Sequence, residues 1–202
     1  APYPQGRIDA TLGGNLVALD VDARGKVIDI VATARARLAP FAAQPLVEAR
    51  AGANAIDLAQ FGSGWPATRL DVTVRAGPAR GGYTGTIEAR NAEPGPLDAS
   101  RVPVAEVRAH ATLDGDVLVL EGLAARLADG ASANGNGSID LRTGRSRWQL
   151  AVRNLDLAVI HGTLAHTRLA GTLDADVQQE VQVVRGDVRQ DDLRLAFDAR
   201  YD

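Results

Sequence analysis

Hydrophobic and polar residues alternate with a period of two along most of the chain, the mark of strands with one apolar and one polar face. In Leu70-Asp71-Val72-Thr73-Val74-Arg75 the two classes separate completely. The same alternation runs through Leu173-Asp174-Ala175-Asp176-Val177 and through Leu193-Arg194-Leu195-Ala196-Phe197-Asp198. Trp148, Leu150 and Val152 alternate with Gln149 and Arg153, and Val107, Ala109, Ala111 and Leu113 with Arg108, His110 and Thr112. The alanine-rich run from Ala32 to Ala43 resembles a helix in composition only. Ile28, Ile30, Ala32, Ala34, Ala36 and Leu38 recur at every second residue, with Asp29, Thr33, Arg35 and Arg37 opposite. Turn chemistry separates the runs: Gly13-Gly14-Asn15, Arg24-Gly25-Lys26, Asp114-Gly115-Asp116, Asp129-Gly130 and Thr143-Gly144-Arg145 are hairpin signals. About a dozen strands at a spacing of about 8 to 12 residues predict an antiparallel meander. Helix is confined to two short turns, at 57–61 and 156–162.

Those turns sit in a repeat. "NAIDLAQF" from Asn54 leads to "TRLDVTV" from Thr68, and "NLDLAVI" from Asn154 leads to "TRLAGTLDADV" from Thr167. This pattern divides one continuous β-segment, 1–202, into two loose repeats, 1–100 and 101–202.

The apolar positions are mostly Ala, Val and Leu, where a closed sandwich or barrel usually fills its interior with larger side chains. No amphipathic helix is long enough to cover them. The sequence therefore predicts an all-β fold: an elongated, curled, antiparallel or mixed sheet with a hydrophobic concave groove and very little helix. An ordinary sandwich or β-helix core built from small residues is the competing reading. Expected groove-lining residues are Leu70, Val72, Val74, Ile87, Leu118, Leu120, Ile139, Leu141, Leu150, Val152, Leu169, Leu173, Leu193, Leu195 and Phe197. An open apolar face of this extent marks a binding surface. Its natural ligands are an acyl chain or an amphipathic β-strand, and the sheet edges invite strand addition.

Charge and composition narrow the chemistry. The formal net charge is −3 with no basic block, which speaks against a nucleic-acid partner. Cys is absent, which excludes disulfides, zinc-thiolate sites and a cysteine nucleophile. His110, His161 and His166 do not share a helical face, and no serine stands in a Gly-x-Ser-x-Gly elbow. The Asp-rich stretch 187–192 lacks a Ca²⁺-loop pattern and reads as a solvated turn. A carbohydrate-active β-helix would need carboxylates about 5 to 9.5 Å apart on one face, and the alternation scatters them toward solvent. No catalytic residue, metal or cofactor is expected. No run of about 18 apolar residues and no hydrophobic leader is present. The chain starts abruptly at Ala1 and ends at Tyr201-Asp202 inside a strand pattern, as an excised fragment of a longer protein would.

One stretch stands apart: "RNAEPGPLDASRVPV", Arg90 to Val104, with Pro94, Pro96 and Pro103. Proline removes a ladder donor, so these residues belong to a long connection between two strands of one sheet. Together with the alternating runs on its C-terminal side, this stretch resembles the C-terminal region of the TamB family, in the AsmA-like group of bacterial envelope proteins. The likeness rests on Asn91, Gly95-Pro96-Leu97-Asp98, Arg101-Val102-Pro103, the Asp114-Gly115 hairpin and the Leu118-to-Leu127 run. It continues with Ser138-Ile139-Asp140, the Trp148 strand and the "NLDLAVI…TRLAGTLDADV" unit. It extends from about Asn54 onward and is weaker before. The resemblance implies a β-taco, a curled sheet with a hydrophobic concave face. It implies a periplasmic location, with the full-length protein anchored in the inner membrane, and an outer-membrane barrel partner of the TamA type. It further implies a non-enzymatic role in passing phospholipid between the membranes, the acyl chains lying in the groove. The alternative role is assembly of outer-membrane β-barrel proteins such as autotransporters.

Overall fold

The computed structural model describes residues 6–15, 17–178 and 181–201. Ala1 and Asp202, the two ends of the chain, lie outside the described residues. Thirteen strands follow one another in a single sheet whose spatial order is their order in the chain. They are β1 Gly6–Gly14, β2 Leu19–Val27, β3 Ile30–Leu38, β4 Leu46–Ile56, β5 Leu70–Ala79, β6 Gly82–Asn91 and β7 Val104–Asp114. After these come β8 Val117–Leu127, β9 Ser132–Asp140, β10 Ser146–Leu155, β11 Leu169–Val177, β12 Gln182–Gln190 and β13 Leu193–Tyr201. Every pairing between these strands is antiparallel. Extensive contacts join consecutive strands only, so the sheet curls without closing. Among the described residues β1 and β13 each have a strand partner on one side only. Helix amounts to single turns at Leu58–Gln60, Leu97–Ala99 and Leu157–Ile160.

The period-two pattern maps onto one continuous apolar face. A single row crosses all thirteen strands: Leu12, Val21, Ala36, Ala49, Ala76, Gly85, Ala111, Leu120, Gly137, Trp148, Ala175, Val184 and Ala199. A slip of one residue in any pair would throw the row onto the polar face. The polar face carries cross-strand ion pairs in the same register: Asp22–Arg35 at 2.8 Å, Asp20–Arg37 at 2.9 Å and Glu106–Arg126 at 2.6 Å. Exposed pairs of this kind contribute little stability individually, but they disfavour misregistered pairings.

Two features interrupt the regular sheet. Bulges interrupt several ladders, including those after Ala53, Leu120 and Val152. Glycines on the apolar face also let neighbouring strands approach closely: a Cβ at Gly85, Gly135 or Gly171 would overlap a backbone carbonyl oxygen of the adjacent strand. Two other glycines lie beneath aromatic rings, Gly137 under Trp148 and Gly186 under Phe197.

One expected turn is displaced. Arg24-Gly25-Lys26 is not a hairpin; Gly25 lies inside β2, opposite Ile8 and Ala32. The chain reverses at Ile28-Asp29, where Ile28 takes φ 56°. Strand pairing on both sides overrides the local turn preference. Asp187, expected in a solvated turn, lies in β12, and the reversal is at 191–192.

The longer connections β4–β5, β6–β7 and β10–β11 lie at the same end of the sheet. Two of them share one corner design. Asp57 Oδ1 accepts from Ala59 N and Thr68 N, while the buried Thr68 Oγ1 donates to Ile56 O and accepts from Leu58 N. Ninety-nine residues on, Asp156 Oδ1 accepts from Ala158 N and Thr167 N, and Thr167 Oγ1 donates to Leu155 O and accepts from Leu157 N. The correspondence extends to the next strand. Asn91 Oδ1 accepts from Arg69 N, and Gln190 Oε1 from Arg168 N, again 99 residues apart.

Candidate functional site

The trough has two unlike halves. From β7 to β12 the curl fills it with its own side chains. Ala109, Ala111, Leu120 and Leu123 form one buried cluster, with Ile87, Leu118, Ile139, Trp148 and Leu150 packed against it. Ala133, Val152, Leu169 and Val188 form a second, joined by Ala125, Leu155, Leu157 and Leu173. From β1 to β5 the face stays open. Ala34 and Ala51 lie opposite each other in the middle of β3 and β4, on the apolar face, and both are exposed. Around them is a groove of about 430 Å³. Its lining includes Ile8, Ala23, Gly25, Ala32, Ala53, Ile56, Val72 and Val74, and its exposed surface is almost wholly apolar.

Side-chain volume explains the difference. The row through Ala10, Ala23, Ala34 and Ala51 holds only methyl groups until it reaches Val74. Farther on, the same face carries Leu120, Leu123, Trp148, Leu150 and Leu173, and Gly135 and Gly171 let the neighbouring strand approach closely. Large residues on the β7–β12 face meet and exclude solvent, whereas the alanines on the β1–β5 face leave room.

Loops pin the tight half at one end. Gly162 N donates to Asp98 Oδ1 at 2.9 Å, with His161 Nδ1 3.9 Å from Asp98 Oδ2. This contact joins the β6–β7 connection to the β10–β11 connection across the four intervening strands. The Gly162 N–H, aided by His161, holds the Asp98 carboxyl below the usual carboxylate range. On the other side Ala67 N donates to Ser100 O at 2.8 Å. The proline-rich stretch is thus the middle link of three joined loops. Its buried Asn91 fastens it internally through Glu93 N and Val102 O.

The expected lining residues divide by this geometry. Val72 and Val74 line the open groove, and Leu70 and Ile87 continue the same face. Leu118, Leu120, Ile139, Leu150, Val152, Leu169 and Leu173 share the face but are packed into the two clusters. Leu141 is displaced. Asp140 accepts from Arg142 N and Thr143 N, which ends β9, and Leu141 is left 57% exposed in the turn. Leu193, Leu195 and Phe197 lie on β13, which no further strand among the described residues flanks, and all are exposed. Ile8, Ala23, Ala32, Ala34, Ala51 and Ala53 were not expected as lining. Alternation places Ala32 and Ala34 on the apolar face, but nothing in it shows that their small size leaves the groove open.

A polar hollow is lined by Asp156, His166, Thr167, Arg168, Gln190 and Asp191. His166 Nδ1 lies 2.7 Å from Asp156 Oδ2. That contact raises the His166 pKa and lowers that of Asp156, which Thr167 N lowers further. Asp156 is already occupied as the corner's cap, and Ala67 occupies the place of His166 in the equivalent first corner. The histidine is therefore an addition to a structural motif. Among the described residues no group of three or more His, Asp or Glu could hold a metal ion. No helix among them is long and apolar enough to cross a membrane. No family model, curated protein or solved structure matches the chain.

Proposed function

We propose that the chain is a non-enzymatic, TamB-like envelope protein whose open half-trough receives phospholipid acyl chains in the periplasm. In that role it supports lipid passage between inner and outer membrane beside a barrel partner of the TamA type. The observation that carries this reading is the exposed alanine floor at Ala34 and Ala51 within an apolar groove of about 430 Å³. That volume is in the range of small-molecule sites. Each methylene buried there contributes about 0.8 kcal/mol, so an alkyl chain is held without directional polar contacts. The filled half acts as the rigid wall against which the open half keeps its shape. A photo-crosslinking residue at Val72 or Ala51 is expected to capture phospholipid from vesicles, while one at Asp71, on the opposite face, captures none. One at Leu150, inside the packed cluster, is expected to capture far less than Val72. Equal labelling at Val72 and Asp71 would rule the groove out.

The β1 edge favours a second reading, in which the chain holds β-strands of outer-membrane clients. β1 is exposed along its whole length, with Ile8 75% exposed, and has no proline or bulge to block strand addition. Under this reading the chain retains an unfolded outer-membrane strand in a pull-down, and Ile8→Pro abolishes retention. Undiminished retention by the proline variant would count against it.

A further inference from the structure

We infer that Arg35, Arg50 and Arg75 form a binding site for a small, soluble, phosphate-bearing anion on the polar face of β3, β4 and β5. The register sets the three directly opposite one another on adjacent strands, Arg35 against Arg50 and Arg50 against Arg75. All three are exposed. Like charges placed this way are destabilising, and an anion between them removes the penalty.

Other opposed cations in the sheet are relieved by carboxylates of the chain. Arg7 stands opposite Lys26 and is held by Asp9; Arg189 stands opposite Arg194, which is held by Asp187. Within the row, Asp22 binds Arg35 through Nε. Arg50 and Arg75 make no hydrogen bond or ion pair with any described residue. The nearest carboxylates on this face face other arginines: Glu48 stands opposite Arg37, and Glu88 opposite Arg108.

The repeat supplies an internal comparison. Ninety-nine residues on from Arg50 and Arg75 are Gln149 and Asp174, opposite each other, and Asn136 faces Gln149 in the place of Arg35. The same strand pairing forms there with none of the three cations, so the fold does not require them.

The geometry selects the ligand. Neighbouring strands lie about 4.8 Å apart, which lets two adjacent guanidinium forks close on one phosphate group. Thr73, two residues from Arg75, and Thr86, opposite it, bring hydroxyls to the same face. Gly52 and Gly77, two residues from Arg50 and Arg75, add no side chain. A hollow of about 470 Å³, lined in part by Arg35, Arg50 and Glu48, borders the row. Glu48 and Glu88 repel an extended anionic surface, so the occupant is a compact anion and not a membrane. The site lies on the face opposite the apolar groove and works whether or not lipid is bound.

The test is isothermal titration calorimetry of the 202-residue chain with inorganic diphosphate, alongside sedimentation with phosphatidylglycerol vesicles. The wild type is expected to bind diphosphate. Arg50→Gln and Arg75→Gln should each weaken binding at least tenfold, with the far-ultraviolet circular dichroism spectrum unchanged and the melting temperature without anion no lower than that of the wild type. Arg142→Gln removes the same charge from the turn between β9 and β10 and should change affinity less than twofold. A wild type that binds no diphosphate at millimolar concentration overturns the proposal. So does an Arg142→Gln variant weakened as much as Arg50→Gln, which would show an effect of overall charge only. Vesicle binding that is lost in Arg50→Gln would also overturn it, by making the occupant a membrane. If one of the two row variants does not fold, the other decides.

Discussion

Gly135→Val is expected to lower the unfolding free energy by at least about 3 kcal/mol, the upper end of what overpacking costs, because here backbone must move. Gly135 stands on the apolar face between Leu123 and Leu150. A Cβ there would overlap Gln149 O and would lie 2.9 Å from the carbonyl carbon and 3.0 Å from Leu150 Cα. No rotamer change relieves a clash with main chain. The β9–β10 pair must separate or flatten, and flattening opens the cluster of Ala109, Ala111, Leu120 and Leu123 to water. Gly13→Ala is the matched control: a Cβ at Gly13 meets nothing within 4 Å, and its effect should stay within about 0.5 kcal/mol. Urea denaturation of the three proteins checks the pair. A Gly135→Val midpoint close to the wild type would show that the curl does not depend on close approach at this glycine.

Gly135 also shows where sequence reading reaches and where it stops. Alternation identifies the face on which each residue lies, because a strand has one geometric period, and so Ala32, Ala34 and Ala36 are legible as strand despite their composition. The length of strand before a reversal is less legible. Arg24-Gly25-Lys26 has the residues of a hairpin, yet pairing carries β2 on to Val27 and forces the left-handed conformation onto Ile28. The repeat is visible in its Asp and Thr residues, but its alignment is one residue off at Asn54. The hydrogen bonds equate Asn154 with Ala55, both of which take positive φ just before the corner. Gln190, the counterpart of Asn91, is a different residue type and gives no sequence signal. The lining of the groove was the least legible feature. Large apolar residues look like lining in a sequence, but on a tight curl they meet one another and fill the space. Room for a ligand depends on the sum of side-chain volumes across several strands and on local curvature, and neither is a property of one strand.

Leu12 and Leu120 turn that distinction into a measurement, since they belong to the same apolar row of the same sheet. Leu120 is 7% exposed and sits in a buried cluster; Leu12 is 65% exposed at the open end. Leu120→Ala is expected to destabilise by about 3 kcal/mol, the usual loss of transfer free energy plus a cavity that packed neighbours cannot fully close. Leu12→Ala should change stability by no more than about 0.5 kcal/mol, because its side chain is already hydrated in the folded state. Equal losses would mean that the open half is as packed as the closed half, and the groove reading would fall with that result. A large loss at Leu120 alone would show that the β7–β12 half carries the stability of the fold. The apolar surface of β1 to β5 would then not be needed for folding, and it would stay free to take up a ligand at no cost to the core.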